Sequence, residues 1–168
     1  MENSALLGGN MLVILEGVDG SGKTTLCNQL KEKGFIVESP VDRLEQFPYS
    51  KWFQLSQKRG ITIVDRSFIT ELVYRTIDGK LVGKMTLKEM CDILQFCKVI
   101  LCETDSAFED SMLRGEDNIT NEKTSKQIQR TYQIITTMLS KFTSVKTFTY
   151  DWKHQTVDEV INFIYNEE

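Results

Sequence analysis

Five short apolar runs punctuate the chain, and helical spacing of apolar side chains follows each of them. The first run, residues 11–15 (MLVIL), is unbroken, which suits a strand buried on both faces of a sheet. A glycine-rich turn ends it, and a helix is expected over about 23–33 with Gly34 as its C-cap. Residues 35–38 read as a second strand, stopped near Pro40. Residues 41–60 are irregular and then helical over about 49–58, with Gly60 as the stop. Residues 61–65 (ITIVD) form the third strand, and a helix follows near 68–76, ended by the Asp78-Gly79 turn. Thr86 and Glu89 have the spacing of a capping box, behind which Leu87, Met90, Cys91, Leu94 and Cys97 mark one helical face. Residues 99–102 are the fourth strand, 105–113 a short helix and 114–118 (RGEDN) a polar break. From about Lys123, Ile128, Tyr132, Ile135, Met138 and Leu139 trace one face of a longer helix. Residues 145–150 are the fifth strand. A second capping box, Thr156 and Glu159, opens a last helix with Val157, Val160, Ile161 and Ile164 turned inward.

Strands that alternate with helices in this way imply an α/β fold, a five-stranded parallel sheet with helices on both faces. The 168 residues contain no repeat, low-complexity tract or linker, so one domain spanning 1–168 is expected, with residues 1–10 as a short lead-in. Charge narrows the partners. A net charge of -4 argues against a general nucleic-acid binder, yet a few converging Lys and Arg side chains can hold a small anion on an acidic protein. The four cysteines, Cys27, Cys91, Cys97 and Cys102, lack metal-ligand spacing and read as buried thiols in a reducing compartment. The sequence shows no leader-like basic segment and no run of about 18 apolar residues, so a soluble, cytoplasmic protein with no membrane partner is expected.

Between the first strand and the first helix stands Gly17-Val18-Asp19-Gly20-Ser21-Gly22-Lys23-Thr24, the pattern G-x-x-x-x-G-K-T in the strand–turn–helix setting of a phosphate-binding loop, or P-loop. Gly17, Gly20 and Gly22 let the backbone turn tightly and present N–H groups to phosphate oxygens. The helix N-terminus adds the positive end of a dipole. Lys23 reaches the β- and γ-phosphates as a mobile point charge, and Thr24 offers a hydroxyl to magnesium. Ser21 and Thr25 complete the nucleotide-binding set. The motif implies ATP and Mg²⁺ and leaves the acceptor open. Asp65-Arg66 closes the third strand, at the edge where open parallel sheets bind ligands. Glu38 ends the second strand on the same edge, and Asp19 lies inside the cradle. Three carboxylates and one arginine are therefore expected to converge near the γ-phosphate. Arg66 suits a two-pronged contact with phosphate. Asp65 suits a magnesium site reached through water, or the orientation of the attacking group.

The run Glu16-Gly17-Val18-Asp19-Gly20-Ser21-Gly22-Lys23-Thr24-Thr25 resembles the opening of thymidylate kinases, which place a strand and then E-G-x-[DE] before the cradle. Glu38-Ser39-Pro40 is similar to their second-strand E-P segment. Val64-Asp65-Arg66-Ser67, with Tyr74 in the following helix, is similar to their D-R-[YH] and its aromatic partner. Residues 98–102 and then Met112-Leu113-Arg114-Gly115 are similar to the fourth strand and the start of the lid, placed here at about 114–122. The resemblance implies a nucleoside monophosphate kinase-like fold. It implies transfer of the γ-phosphoryl group of Mg-ATP to a deoxynucleoside 5′-monophosphate, with dTMP or a related pyrimidine nucleotide first. Asp19 would sense the sugar 3′-hydroxyl, and Arg66 would bridge the acceptor phosphate and the transferring group. Gly20 stands where one subgroup places an arginine, so the lid would supply that charge through Arg114, with Lys123 and Arg130 as fallback donors. Tyr74 and Arg75 fall on the acceptor side, Arg75 where the family commonly has a glutamine that reads the base. The segment 41–60 is shorter than the family's base-binding stretch, and Trp52 or Phe53 is the candidate for stacking on a base. Related kinases often dimerise through helices flanking the sheet, so a homodimer through Met90, Leu94 and the 128–139 face is a further expectation.

Three other readings remain open. Asp65-Arg66-Ser67 also resembles the carboxylate-Arg-Ser triplet of deoxynucleoside kinases. There the acceptor is a neutral 5′-hydroxyl, a general base is needed, and Glu38 takes that role. The third reading is a nucleotide-binding module that keeps the fold without catalysis. The fourth, a kinase acting on bases in DNA, is disfavoured by the net charge of -4.

Overall fold

The apolar run at the start of the chain becomes the central strand, because only a position between two neighbours and two helical layers buries every one of its side chains. In the computed structural model, which describes residues 9–39, 49–79, 85–115 and 121–166, this strand is β1 (Asn10–Glu16). Four further strands run parallel to it: β2 (Ile36–Glu38), β3 (Gly60–Asp65), β4 (Cys97–Cys102) and β5 (Lys146–Tyr150), in the order β2-β3-β1-β4-β5. Seven helices connect or follow them among the described residues: α1 (Lys23–Glu32), α2 (Tyr49–Ser56), α3 (Phe68–Ile77), α4 (Leu87–Leu94), α5 (Ala107–Leu113), α6 (Glu122–Phe142) and α7 (Val157–Tyr165). Pro40 and residues 116–120 of the expected lid lie outside the described residues.

Alternation along β1 divides the core into two layers. Leu12 and Ile14 pack with Val64, Val99 and Leu101 under α2, α3, α4 and α6. Val13 and Leu15 pack with Ile63, Ile100 and Cys102 under Leu26 and Leu30 of α1 and Val160 and Ile164 of α7. Each such side chain stabilises the fold by roughly 1.5–3 kcal/mol on full burial. Both expected capping boxes form, at Thr86 with Glu89 and at Thr156 with Glu159. Lys98, in the middle of an apolar strand, donates to the carbonyls of Phe163, Ile164 and Asn166. It thereby satisfies the C-terminal end of α7, whose last carbonyls have no helical partners. No helix among the described residues is long and apolar enough to cross a membrane.

Several expectations are corrected. Gly60 does not stop a helix; α2 ends at Ser56, and Gly60 opens β3. Cys97 is the first residue of β4, not part of a helical face. The amide of Phe96 turns back to the carbonyl of Ile93 (3.0 Å), and helical spacing ran on by coincidence into an apolar strand. Leu87 and Met138 are exposed, because α4 and α6 turn other positions to the core. Trp52 is 1% exposed and packs edge-on against Phe68, centroids 5.5 Å apart, so it is core and no platform for a base. Phe53 stays exposed beside Tyr49. Met90, Leu94, Ile128, Tyr132, Ile135 and Leu139 are buried within this chain's own core. Cys27, Cys97 and Cys102 are buried and Cys91 only partly so. Burial pushes the Cys27 thiol up to about 12 and raises those of Cys97 and Cys102, which makes them poor nucleophiles.

Candidate active site

Strand register brings the chemistry to one edge. Leu15 pairs with Asp65, Glu16 with Leu101 and Cys102 with Tyr150, so β1, β3, β4 and β5 end at nearly the same height. The chain leaves β1 first toward β2 and β3, and only later reaches β4 and β5. The crevice therefore opens at the carboxyl end of the central strand, where α1 begins.

The cradle fills that position. Gly17, Gly20 and Gly22 all have positive φ, and each is pressed against a neighbour. A methyl group at Gly20 would stand 1.9 Å from the carbonyl oxygen of Ala107, and one at Gly22 would stand 2.5 Å from the Trp152 ring. Gly22 caps α1 in the left-handed conformation with no side chain to satisfy the first amides, which leaves the helix N-terminus open to an anion. Lys23, almost buried, lies 3.6 Å from Asp65 Oδ1, and Thr24 and Thr25 are exposed at the mouth. A cleft lined by residues 18–24 and Arg114 surrounds this turn. Two oxygens here are buried without a hydrogen-bond partner among the described residues, Ser21 Oγ and Asp65 Oδ1. A buried carboxylate oxygen that has an ammonium 3.6 Å away but accepts no hydrogen bond among the described residues, at a helix N-terminus lined by glycine amides, fits the phosphates of a nucleotide with its magnesium ion.

Arg66 forms the adjoining half. It has φ of 73°, the one described non-glycine residue with positive φ, a conformation that costs about 1–2 kcal/mol. Its amide donates to the Leu15 carbonyl (2.9 Å) and its guanidinium to Asp19 Oδ1 (2.5 Å). Both partners belong to β1 or the cradle, so Arg66 is tied to the cradle and its strand at its backbone and at its tip. Beneath it lies Glu16, fully buried, whose carboxylate accepts the hydroxyls of Ser67 and Thr70. Burial raises the pKa of Glu16, while these hydrogen bonds and the charges of Arg66 and Lys23 oppose the rise.

The expected convergence of three carboxylates is met by two of them. Asp65 and Asp19 reach Lys23 and Arg66, but Glu38, on the same edge, pairs with Lys58 from beyond α2. Tyr74 is half-buried on α3; burial raises the pKa of its phenol, and the Arg66 charge pulls the other way. Arg75 pairs with Glu71 one turn earlier on the same helix, both largely covered. Arg114, the C-cap of α5, is exposed and borders the cradle.

Sequence reasoning missed Trp152 and the Glu16 network. Trp152 follows β5, lies against Gly22 and is 40% exposed, with the Lys153 ammonium over its ring. Its signal was an exposed aromatic just beyond a strand end. That signal acquires meaning only once β5 is known to lie two strands from β1.

No family model matches the chain, and no curated protein matches its sequence. Among solved structures it is similar to the YorR protein of Bacillus subtilis in complex with phosphorylated GDP, at 21% identity over 92% of this chain and 93% of that one, TM-score 0.68. It is similar to deoxyadenosine kinase from M. mycoides with bound dCTP, at 16% identity over 92% and 98%, TM-score 0.62. It is also similar to thymidylate kinase from Candida albicans, at 13% identity over 94% and 90%, TM-score 0.56. At these identities the likeness is one of fold. The chain has the five-stranded parallel α/β sheet that the alternation of its elements predicted, and its fold matches that of the P-loop nucleotide kinases.

Proposed function

We propose that the protein is a P-loop kinase that transfers the γ-phosphoryl group of Mg-ATP to the 5′-phosphate of a deoxynucleoside monophosphate. The observation that supports this most is the pairing of two cation–carboxylate couples side by side: Lys23 with Asp65 inside the cradle, Arg66 with Asp19 next to it. The first couple serves the donor phosphates and the second the acceptor phosphate. An acceptor phosphate is already ionised, so the chemistry needs alignment and neutralisation of charge more than a strong base. The cradle amides and Lys23 hold the β- and γ-phosphates. Arg66 aims its donors across the gap, with Asp19 fixing its direction and offering an oxygen to the sugar hydroxyl. Arg114 adds charge from the far side of the cleft. Thr24 and Asp65 would hold magnesium, which would supply neutralisation of the phosphate oxygens. The resemblance to thymidylate kinases puts dTMP first among the acceptors.

A nucleoside acceptor is the second reading, and Glu38 separates the two. A 5′-hydroxyl needs a base; the structure pairs Glu38 with Lys58, and neither Lys23 nor Arg66 is its ion-pair partner, which favours the monophosphate. The test is ADP release with Mg-ATP and each common nucleoside, deoxynucleoside and 5′-monophosphate, repeated with Glu38→Gln. Turnover with a deoxynucleoside monophosphate, lowered no more than about tenfold by Glu38→Gln, is expected. A loss in the range of about 10²–10⁴ on a nucleoside substrate would instead make Glu38 the general base. Silence across the panel with ATP still bound would favour the binding module.

Trp152 gives an optical handle on the donor site. The chain has two tryptophans, and Trp52 is 1% exposed, far from water. Saturating Mg-ATP is expected to change the emission of the wild type and not that of Trp152→Phe. An unchanged wild-type spectrum, with binding verified by calorimetry, would remove the nucleotide from the Trp152 side of the cradle.

A further inference from the structure

Four buried polar groups that the phosphoryl transfer itself does not use form one connected chain beneath Arg66. Glu16, at the end of β1, is fully buried; Ser67, Thr70 and Tyr132 are each at least nine-tenths buried. With Glu16 ionised, the direction of every bond in the chain follows from counting protons. Ser67 has one hydroxyl proton and gives it to Glu16 Oε1, so its oxygen is free to accept the amide of Ile69 (3.0 Å) and cap α3. Thr70 gives its single proton to Glu16 Oε2. The hydroxyl of Tyr132, 2.9 Å from Thr70 Oγ1, must then be the donor to it. Burial raises the pKa of the Tyr132 phenol, which keeps it a donor. The chain therefore runs Tyr132 to Thr70 to Glu16, with Ser67 arriving from the other side, and ties α6 and α3 to the last residue of β1.

Its consequence is local to one residue. Arg66 holds a left-handed backbone that its side chain disfavours, and such a conformation persists only where the surroundings over-determine it. On one side its amide is bound to Leu15; on the other, Ser67 is locked to Glu16, the residue after Leu15. Glu16 thus anchors the segment that aims the guanidinium at Asp19. Tyr132 sits in α6, the helix that begins at Glu122, at the end of the expected lid segment.

We infer that Glu16, Ser67, Thr70 and Tyr132 are positioning residues: through them the place of α6 sets the aim of Arg66 at the acceptor. This rests on the reading of Arg66 as the acceptor-phosphate residue, and the test separates the two. Tyr132→Phe is made alone and together with Arg66→Lys. Turnover is followed with Mg-ATP and an equimolar mixture of the four common deoxynucleoside 5′-monophosphates. Thr136→Val is the control, since among the described residues the buried Thr136 hydroxyl bonds only to the backbone carbonyls of Tyr132 and Gln133 within α6 and not to the Tyr132–Thr70–Glu16 chain. Tyr132→Phe is expected to lower kcat/KM for the acceptor by on the order of ten- to a hundredfold, with KM for ATP unchanged. In the Arg66→Lys background it should cost less than about threefold, because residues that act as a unit are not additive. Thr136→Val should leave kcat/KM unchanged in both. Equal factors in the two backgrounds overturn the positioning role while leaving the acceptor reading intact. A fully active Arg66→Lys overturns the acceptor reading itself. Hydrogen exchange supplies a readout that needs no turnover: the amides of Arg66 and Ile69 should exchange faster in Tyr132→Phe while those of β1 hold. Unchanged exchange at both amides also overturns the inference.

Discussion

Lys23→Met is expected to lower turnover by about a hundred- to a thousandfold with the fold retained, the cost of removing one preorganised donor from a developing charge. Methionine keeps most of the stem that lies in the cradle and deletes only the ammonium, so packing changes little. The ammonium is nearly buried and 3.6 Å from Asp65, where solvent screens it weakly and its attraction for phosphate is correspondingly strong. Charge builds on the phosphoryl oxygens as the group transfers, so the loss should fall on kcat more than on the affinity for ATP. Glycine amides and the N-terminus of α1 still hold the ground-state nucleotide. Steady-state ADP release, a Trp152 titration with Mg-ATP and a urea midpoint together resolve these contributions. A Lys23→Met enzyme that turns over within about threefold of wild type would falsify the assignment of the cradle as the catalytic donor site.

The cradle was legible because its constraints are local. Eight consecutive residues encode the turn, the amides and the lysine, and an apolar run before them announces the central strand. The sheet edge was legible too: Asp65, Arg66 and Asp19 are where a parallel α/β arrangement puts them. What lay beyond reach was pairing at long range. The bonds from Glu16 to Ser67 and Thr70 and from Thr70 to Tyr132 join residues 51, 54 and 62 positions apart, and hydroxyl groups leave no periodic trace in a sequence. Glu38 shows the same limit from the other side. Its place at the edge follows from the strand pattern, but its partner Lys58 depends on where α2 ends. Cys97 shows a third kind of limit, since apolar spacing does not stop at the boundary between a helix and the strand after it.

Gly20→Ala is expected to destabilise the protein by about 2–4 kcal/mol and to weaken Mg-ATP binding, whereas Gly34→Ala should cost only about 1 kcal/mol and leave binding alone. Both glycines have similar left-handed backbones, φ of 81° and 91°, so the intrinsic strain of adding a side chain is nearly the same. The difference is space. No described atom lies within 4 Å of a methyl group at Gly34. At Gly20 the methyl would meet the Ala107 carbonyl oxygen at 1.9 Å and the Ser111 amide at 2.8 Å, both backbone atoms of α5 that cannot rotate away. Relief requires α5 to move off the cradle, and α5 carries Arg114 at its other end. Urea midpoints and calorimetric titration with Mg-ATP on the two variants check the contrast; equal losses would mean that α5 is not seated on the cradle as described. The same contact bears on where the transition-state charge comes from. With the first turn of α5 against position 20, the cradle has no room for the arginine that one subgroup of thymidylate kinases places there. The proposed donor is therefore Arg114, brought to the cleft by the helix that excludes the alternative.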